Sequence, residues 1–328
     1  MVRKKNVLLQ ASVIIPAYNA QKTLPACIDA LLVQSILPNE IILVDDGSTD
    51  ETKTMAEAYS LVKVISQKNM GPANARNHGA RAAKGDVIIF LDSDCVPEKN
   101  WVEEMLRPFA DEKVAGVQGA YLTRQTSLVA RFEQADIEYR YERMKRAKKL
   151  DWIGSYSAAY RRKIFLDEKG FDETFPKASG EDAELSYRLA EKGYVLLFAP
   201  HAHVYHTHPA EVLHYLRVKY FRAYWRMRMY LKHPEKSVKD SYTPTTLKLS
   251  VVLALASVAF AAATFILPVW EYWSVASLIG FFVLYAHSFE PFRPSLSVWV
   301  AGLILYFLRS LSFAAGMTAG FLDRRVWK

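Results

Sequence analysis

Short apolar runs alternate with amphipathic stretches in the first third of the chain. Five runs have the length and the uninterrupted apolar character of buried β-strands, and they cover Ser12–Pro16, Ile41–Asp45, Val62–Ser66, Val87–Leu91 and Ala115–Gln118. The segments between them have helical spacing, over Thr23–Gln34, Asp50–Tyr59, Pro72–Ala83 and Asn100–Phe109. Strands that alternate with helices in this way predict an α/β fold, with a parallel-type sheet that carries helices on both faces.

The pattern changes after the fifth predicted strand. A long segment without Gly or Pro, Thr126–Lys149, predicts a helix with a basic second half, which we expect to cover one side of a cleft. A further helix is predicted over Ala183–Lys192, and a pair of strands over Val195–Phe198 and Ala202–His206. We therefore assign residues 1–210 to one α/β domain.

The last quarter of the chain is almost free of charge. Leu249–Trp270 and Tyr272–Phe289 contain no charged residue, and Pro294–Leu322 contains only Arg309. A membrane-spanning helix needs about 20 predominantly apolar residues. Residues 247–328 are therefore predicted to form a membrane domain of two to three transmembrane or interfacial helices.

The charges that flank these segments give conflicting indications about topology. Lys236, Lys239 and Lys248 precede the first segment and predict that the N-terminal domain lies on the cytoplasmic face. Three spans would then put the basic tail 323–328 outside, and Arg309 would cost at least about 2.5–3.5 kcal/mol inside a span. We favour a broken or interfacial helix pair that returns the C-terminus to the inside. The alternative is a true span in which protein or lipid headgroups shield Arg309.

The net charge of the 328-residue chain is +8, and the basic residues are concentrated before the apolar segments. From Glu211 to Lys248 there are nine Lys and Arg against three Asp and Glu. Residues 211–246 are therefore predicted to form a basic amphipathic interface helix and a linker, with affinity for phosphates or anionic lipid. The two cysteines, Cys27 and Cys95, exclude a disulfide framework and a zinc-ligand cluster.

The triplet Asp92-Ser93-Asp94 directly follows the most apolar predicted strand. Ligands of open α/β sheets bind outside the carboxyl ends of strands. Two carboxylates at such an end suit a hard divalent cation, Mg²⁺ or Mn²⁺, and such a cation suits a diphosphate. The triplet therefore predicts a metal and phosphate site.

Four more motifs accompany this triplet. They are SVIIPAYN at residues 12–19, VDDGSTD at residues 44–50, GPANARNHG at residues 71–79, and GED at residues 180–182, which opens a predicted amphipathic helix. No Gly-x-Gly-x-x-Gly follows the first strand, so a dinucleotide fold of the usual kind is not indicated.

Together the five motifs resemble family 2 of the glycosyltransferases, which has the GT-A fold, over about Ser12 to His208. The resemblance implies transfer of a sugar from a nucleotide-diphosphate sugar with the help of a divalent metal. It implies a donor-nucleotide site formed by Pro16, Ala17, Tyr18, Asn19, Asp45, Asp46, Gly71, Arg76, Asp92 and Ser93. It also implies a metal site formed by Asp94, with Asp92 and His206 as further ligands.

The same resemblance assigns the catalytic residues, whereas the candidates on the acceptor side follow from the residues themselves. Asp182 matches the general base and Glu181 is the adjacent alternative, although both acids could merely cap the helix that follows. Trp152 is a candidate for stacking on a sugar, or a core residue. Arg222 and Arg226 lie four residues apart on one helical face, where they would contact a diphosphate or lipid phosphates. The Gln-x-x-Arg-Trp motif of processive synthases is absent, which favours the addition of a single sugar.

These observations predict an integral membrane enzyme whose catalytic domain is cytoplasmic. It would be an inverting glycosyltransferase that acts on a hydroxyl of a lipid-linked or membrane-associated glycan, with no nucleic-acid partner. One alternative is a polyprenyl-phosphate sugar synthase, whose phosphate acceptor needs no base. Another is a non-catalytic membrane scaffold that binds sugar nucleotides.

Overall fold

The chain divides into two compact units. The computed structural model describes residues 9–175, 180–237, 240–289 and 294–323, and of Arg228 only the backbone. The first unit comprises Met1–Leu122 and Lys148–His206, and the second comprises Thr123–Ala147 and Thr207–Lys328. The long helix that we assigned to the α/β domain therefore belongs to the second unit.

A mixed β-sheet forms the centre of the first unit. In the described part of the chain it has eight strands in the order β3-β2-β1-β4-β7-β6-β8-β5. Their bounds are β1 (Ala11–Ala17), β2 (Glu40–Asp45), β3 (Val62–Ser66), β4 (Val87–Leu91), β5 (Cys95–Pro97), β6 (Val114–Leu122), β7 (Ser157–Arg161) and β8 (Val195–His206). β1 to β4 are mutually parallel, whereas β7 runs antiparallel to β4 and β6, and β5 antiparallel to β8. The predicted α/β class is confirmed, but the sheet is not parallel throughout.

The predicted pair of strands near residue 200 is one continuous strand. β8 runs through Pro200 because β6 pairs with it on both sides of an irregularity, which shifts the register between Gln118 and Ala120. Phe198 pairs with Gln118, and His203 pairs with Ala120. An irregularity of this kind absorbs extra residues and re-aims the side chains beyond it.

Helices cover both faces of the sheet. Among the described residues, the first unit contains the following six, numbered along the whole chain: α1 (Leu24–Leu32), α2 (Thr52–Glu57), α3 (Pro72–Ala82), α4 (Trp101–Leu106), α6 (Arg162–Asp167) and α7 (Glu181–Glu191). α1, α2 and α4 share a hydrophobic core with one face of β1, β2 and β4. On the other face, a Cβ at Gly79 of α3 would lie 2.4 Å from the side chain of Ile14, so the glycine permits a close approach of helix and sheet.

The second unit is helical in its described residues. It contains α5 (Leu128–Arg146), α8 (Val212–Lys232), α9 (Thr245–Ala263), α10 (Trp270–Phe289) and α11 (Leu296–Leu322). Among the described residues, α9, α10 and α11 are long and apolar enough to cross a membrane. The predicted break in the third apolar segment is wrong, since α11 is a single helix of 27 residues.

Two buried ion pairs join helices of the second unit. Arg309 of α11 contacts Asp136 of α5, with Nη1 and Oδ1 2.7 Å apart. Lys219 of α8 belongs to the basic segment that was predicted to meet phosphates or anionic lipid, but it is buried with its Nζ 2.6 Å from Oε2 of Glu133. Arg309 is therefore shielded by protein.

Candidate active site

The ends of β1 and β2 are joined by hydrogen bonds. The amide of Asp46 donates to the carbonyl of Ala17 (2.8 Å), and the amide of Thr49 donates to Oδ1 of Asn19 (2.8 Å). Asn19 has a positive φ of 52°, which an Asn tolerates better than most residues. Next to it the side chain of Tyr18 is 52% exposed, whereas Ala17 is buried. The loop thus presents an aromatic ring to solvent on a firmly held backbone.

The two aspartates at the end of β2 are buried and make local contacts. Asp46 accepts hydrogen bonds from Nε2 of Gln67 (2.8 Å) and from the amides of Met70 and Gly71 (2.9 Å each). Asp45 accepts from the amide of Ser48 (3.1 Å). Asp46 therefore holds the loop before α3 in place, a role that the resemblance did not assign to it.

Arg76 of α3 is buried between two carboxylates. Its Nη2 lies 2.7 Å from Oδ1 of Asp92, and its Nη1 lies 3.0 Å from Oε1 of Glu181. Burial lowers the pKa of Arg76, but the charges of Asp92 and Glu181 outweigh this effect and raise it. The guanidinium therefore joins the end of β4 to the start of α7.

Asp92, Ser93 and Asp94 lie beyond β4, and Asp94 is the most exposed carboxylate of the group, at 46%. Its Oδ2 lies 3.4 Å from Nε2 of His206, at the end of β8. Burial raises the pKa of Asp94, but the hydrogen bond and the charge of His206 outweigh this effect and lower it. A carboxylate oxygen and an imidazole nitrogen that converge in this way suit Mn²⁺, and the partly exposed Asp92 is a third possible ligand.

Two further histidines close to His206 in the sequence have different partners. His203 lies 3.0 Å from Oε2 of Glu98, and His208, which belongs to the second unit, lies 2.9 Å from Oε1 of Gln134. Among the three, it is His206 that the structure brings to Asp94.

An aromatic stack supports His206. The ring of Tyr121 lies 3.6 Å from that of Tyr156 and 4.5 Å from the imidazole of His206. Gln118 donates to the hydroxyl of Tyr156 (2.8 Å) and so ties the stack to β6. Sequence reasoning missed these residues, because nothing in the local pattern of β6 predicts which distant segment pairs with it.

Asp182 and Glu181 are neighbours with different environments. Glu181 is buried in the ion pair with Arg76. Asp182 accepts hydrogen bonds from the backbone amides of Ala183 (2.7 Å) and Ser155 (3.3 Å). Burial and the negative charge of Glu181 raise the pKa of Asp182 to about 6. Asp182 is thus a carboxylate with the affinity for a proton that a general base near neutral pH requires.

The remaining predicted residues lie apart from this group in the sequence. Trp152 is half-buried in the segment before Gly154 of the first unit. Arg222 and Arg226 are on α8 of the second unit. Arg222 is 53% exposed with its Nη1 3.6 Å from Glu133, and Arg226 donates to Oγ1 of Thr243 (3.0 Å).

Comparison with known proteins finds a family match in the N-terminal half of the chain. Residues 12–168 match the model of the family described as Glycosyl transferase family 2. The pre-mycofactocin glycosyltransferase of Mycobacterium tuberculosis is 33% identical over 215 residues, which are 63% of this chain and 45% of that protein. The O-antigen chain rhamnosyltransferase RfbN of Salmonella typhimurium is 28% identical over 212 residues, or 61% of this chain and 67% of that one. The chain thus spans about half the length of the mycobacterial relative.

A solved structure supports the fold over most of the chain. The mannosyltransferase PcManGT of Pyrobaculum calidifontis, in complex with GDP-Man and Mn²⁺, superimposes with a TM-score of 0.61. The match covers 96% of this chain and 88% of that one at 18% identity. The sequence match and the fold together mean that the chain carries a family 2 glycosyltransferase domain with the GT-A fold, followed by three apolar helices.

Proposed function

We propose that the protein transfers a sugar from a nucleotide-diphosphate sugar to a hydroxyl group of a lipid-linked or membrane-associated glycan, with inversion at the anomeric carbon. The observation that carries this proposal is the difference in environment between two adjacent acids. Glu181 is neutralised by Arg76, whereas Asp182 keeps a carboxylate whose pKa is raised to about 6. That pair of environments matches a base that must accept a proton from an acceptor hydroxyl at neutral pH.

The reaction is a single displacement. Asp182 takes the proton of the acceptor hydroxyl while the hydroxyl oxygen attacks the anomeric carbon. The bond between that carbon and the diphosphate oxygen breaks, and its electron pair leaves with the diphosphate. Attack on the face opposite the leaving group inverts the configuration.

Donor binding is assigned to the ends of β1, β2 and β4. The exposed ring of Tyr18 is available for contact with the nucleotide. Asp94 and His206, with Asp92, would hold Mg²⁺ or Mn²⁺. The solved structure of the Pyrobaculum mannosyltransferase is itself a complex with Mn²⁺. Such a cation supplies neutralisation of the charge that develops on the leaving diphosphate. Tyr121 keeps the imidazole of His206 oriented by stacking on it.

The acceptor is assigned to the membrane side of the protein. Three apolar helices follow the catalytic domain, and the half-exposed Arg222 on the basic helix α8 can meet an anionic lipid phosphate. We expect Arg222→Gln to reduce transfer to a membrane acceptor more than it reduces hydrolysis of the donor. Equal loss of both activities would contradict this assignment.

The proposal is tested with the purified full chain in lipid, a panel of nucleotide sugars and extracted membrane acceptors. Asp182→Asn keeps the shape of the side chain and removes the proton acceptor. We expect turnover to fall by at least about 10²-fold with donor binding retained. Unchanged turnover would favour the polyprenyl-phosphate acceptor, because a phosphate needs no base. Binding of the donor without any turnover in the parent protein would favour the scaffold.

A further inference from the structure

The two helices α9 and α10 form an antiparallel hairpin. At its base, Oγ of Ser288 donates to Oγ1 of Thr246 (3.4 Å), and near its tip the rings of Phe260 and Trp270 stack 5.4 Å apart. The 19 residues of α9 extend about 28 Å at the helical rise per residue. That length matches a hydrocarbon core of about 30 Å, and it puts both ends of the hairpin on the same side.

α11 contacts this hairpin near its base at two separate points. The hydroxyl of Tyr285 in α10 donates to the carbonyl of Trp299 (2.6 Å), and Oγ of Ser310 lies 3.5 Å from Oγ of Ser250 in α9. Eleven residues separate Trp299 from Ser310, which is about 16 Å along α11.

The hairpin partners of these two points lie at nearly one level. Ser250 is four residues from Thr246, and Tyr285 is three residues from Ser288, so their distances from the base differ by only about 1.5 Å. If α11 were a third span packed alongside the hairpin, two points about 16 Å apart on α11 would contact the hairpin at levels about 16 Å apart. α11 therefore crosses the base of the hairpin from α10 to α9 at a steep angle.

α11 has three distinct faces. One face, with Trp299, Tyr306 and Ser310, contacts the hairpin. A second face contacts α5 and α8, where Arg309 pairs with Asp136 and where a Cβ at Gly316 would lie 2.2 Å from the carbonyl oxygen of Tyr220.

The third face is exposed and apolar. It carries Leu296, Val300 and Ile304, which lie on one helical stripe at four-residue spacing, and it continues to Leu322. At about 100° per residue, the face that contacts the hairpin lies between this stripe and the face that contacts α5 and α8. Helices with charged residues thus lie on one side of α11, and an apolar surface that needs a partner lies on the other.

We propose that α11 is not a third membrane span but lies along the boundary between the headgroups and the hydrocarbon core. Its stripe of Leu296, Val300 and Ile304 would dip into the lipid, and only α9 and α10 would cross the hydrocarbon core. The partner of the exposed stripe is the lipid bilayer, because the stripe borders the face that meets the hairpin. This inference is independent of the reaction assigned to the first unit.

The placement also accounts for the buried charges. Arg309 and Asp136 would be held at the level of the headgroups and not near the bilayer centre, where a charge is most costly. The chain before the hairpin and the chain after it would lie on the same side of the membrane.

Depth-dependent fluorescence quenching tests the proposal in vesicles of phosphatidylcholine and phosphatidylglycerol. Single cysteines for a fluorescent label are placed on the exposed stripe at Val300, Ile304 and Ala315, after Cys27→Ala and Cys95→Ala. Cysteines at the exposed Val283, Ile279 and Val258 of the hairpin provide a depth scale, about 8, 14 and 18 Å from the base.

We expect the three α11 labels to report one shallow depth, close to that of Val283, while Ile279 and Val258 are quenched most by deep nitroxides. A span would separate Val300 from Ala315 by about 22 Å of depth and carry one label to the bilayer centre. That outcome would overturn the proposal.

Topology gives a second readout. A cysteine added after Lys328 and one added before Met1 are probed on intact cells with an impermeant thiol reagent. We expect both to be protected or both to be labelled, and different labelling of the two ends would refute the inference even if the depth labels destabilise the protein.

Discussion

The two compact units of this protein differ in the exposure of their most closely grouped charged side chains. In the first unit, Asp92 and Asp94 stand at the edge of the sheet with 30% and 46% of their side chains exposed. In the second unit, Glu133, Asp136, Lys219 and Arg309 are 1–4% exposed and paired with one another. The first arrangement keeps carboxylates available for a ligand. The second uses charges to specify which helices meet.

This difference has an energetic reason. A buried ion pair contributes little net stability, because desolvation offsets the attraction, yet removal of one partner strands a buried charge. Burial lowers the pKa of Lys219 to about 8 against the opposing charge of Glu133. The first unit also contains a buried ion pair, since Arg76 and Glu181 pair directly beside the exposed carboxylates. We infer that this pair fixes the end of β4 and the start of α7 and so holds the exposed carboxylates in position.

Among substitutions that compare the exposed carboxylates with the buried ion pairs, Asp94→Ala should have the largest effect. We expect transfer to become undetectable, because the carboxylate that would hold the cation is lost, while the melting temperature stays unchanged. Isothermal titration of Mn²⁺ and of the donor, together with product assays, measures this. Glu57→Ala, which removes a carboxylate of an exposed pair with Lys53, is the control and should retain activity. Retained activity of Asp94→Ala in excess chelator would exclude the metal assignment.

Lys219→Met should act on stability rather than chemistry. The free energy of unfolding should fall by about 3–5 kcal/mol, because Glu133 becomes a buried carboxylate that lacks its nearest cation. Adding Glu133→Gln should restore a large part of that loss. Lys163→Met, at an exposed pair with Asp167, should leave the free energy of unfolding nearly unchanged. Denaturant unfolding in detergent is measured for the parent and for these three variants. An unchanged free energy of unfolding in Lys219→Met would contradict the structural role of the buried pair.

The pH dependence of turnover should report Asp182. Because its pKa is raised to about 6, the base is ionised above that pH and protonated below it. Turnover should therefore fall about tenfold per pH unit below pH 6 and reach a plateau above it. Asp182→Asn should abolish this limb, and the residual rate should be flat across the same range. A limb that persists in the variant would belong to another group.

Close packing of α11 on α8 predicts a moderate effect. Ser312, Gly316 and Gly320 face the carbonyls of Leu216, Tyr220 and Tyr224 at four-residue intervals. Gly316→Ala should therefore destabilise the second unit by about 1–3 kcal/mol, since a backbone oxygen cannot move out of the way of the new methyl group. Gly280→Ala is the matched control, because its Cβ would touch only the flexible side chain of Leu253 at 3.4 Å. Thermal unfolding of the two variants should differ accordingly.

The smallest effect should be a gain in stability when Asp182 is neutralised. Its raised pKa means that the fold prefers the protonated acid, so stability present below about pH 4 is lost as the pH rises through about 6. Asp182→Asn should therefore be more stable than the parent at pH 7.5, and equal to it below about pH 4. Glu181→Gln should instead be less stable at neutral pH, because it breaks the pair with Arg76. A loss of stability in both variants would contradict the different environments of the two acids.

The local elements of this protein were accessible from its sequence. The strands Val87–Leu91 and Val62–Ser66 were predicted with their observed bounds, and α3 was predicted to within one residue. The family and the enzyme class followed from the motifs at the strand ends, and the comparisons confirm both. These features are visible because hydrophobic periodicity and turn chemistry involve residues that are close neighbours in the chain.

Tertiary structure decided the contacts between distant segments. Arg76 meets Glu181 across 105 residues, and Arg309 meets Asp136 across 173 residues. No local pattern predicts which acid pairs with each arginine, because each arginine would fit its own helix equally well if it paired with a different acid. For the same reason β7 escaped prediction, since its five residues are a strand only between β4 and β6. The sequence determined which segments are helices, strands and apolar anchors. The packing of those segments decided which charges stay exposed for chemistry and which are buried, because burial depends on what the rest of the chain brings to each side chain.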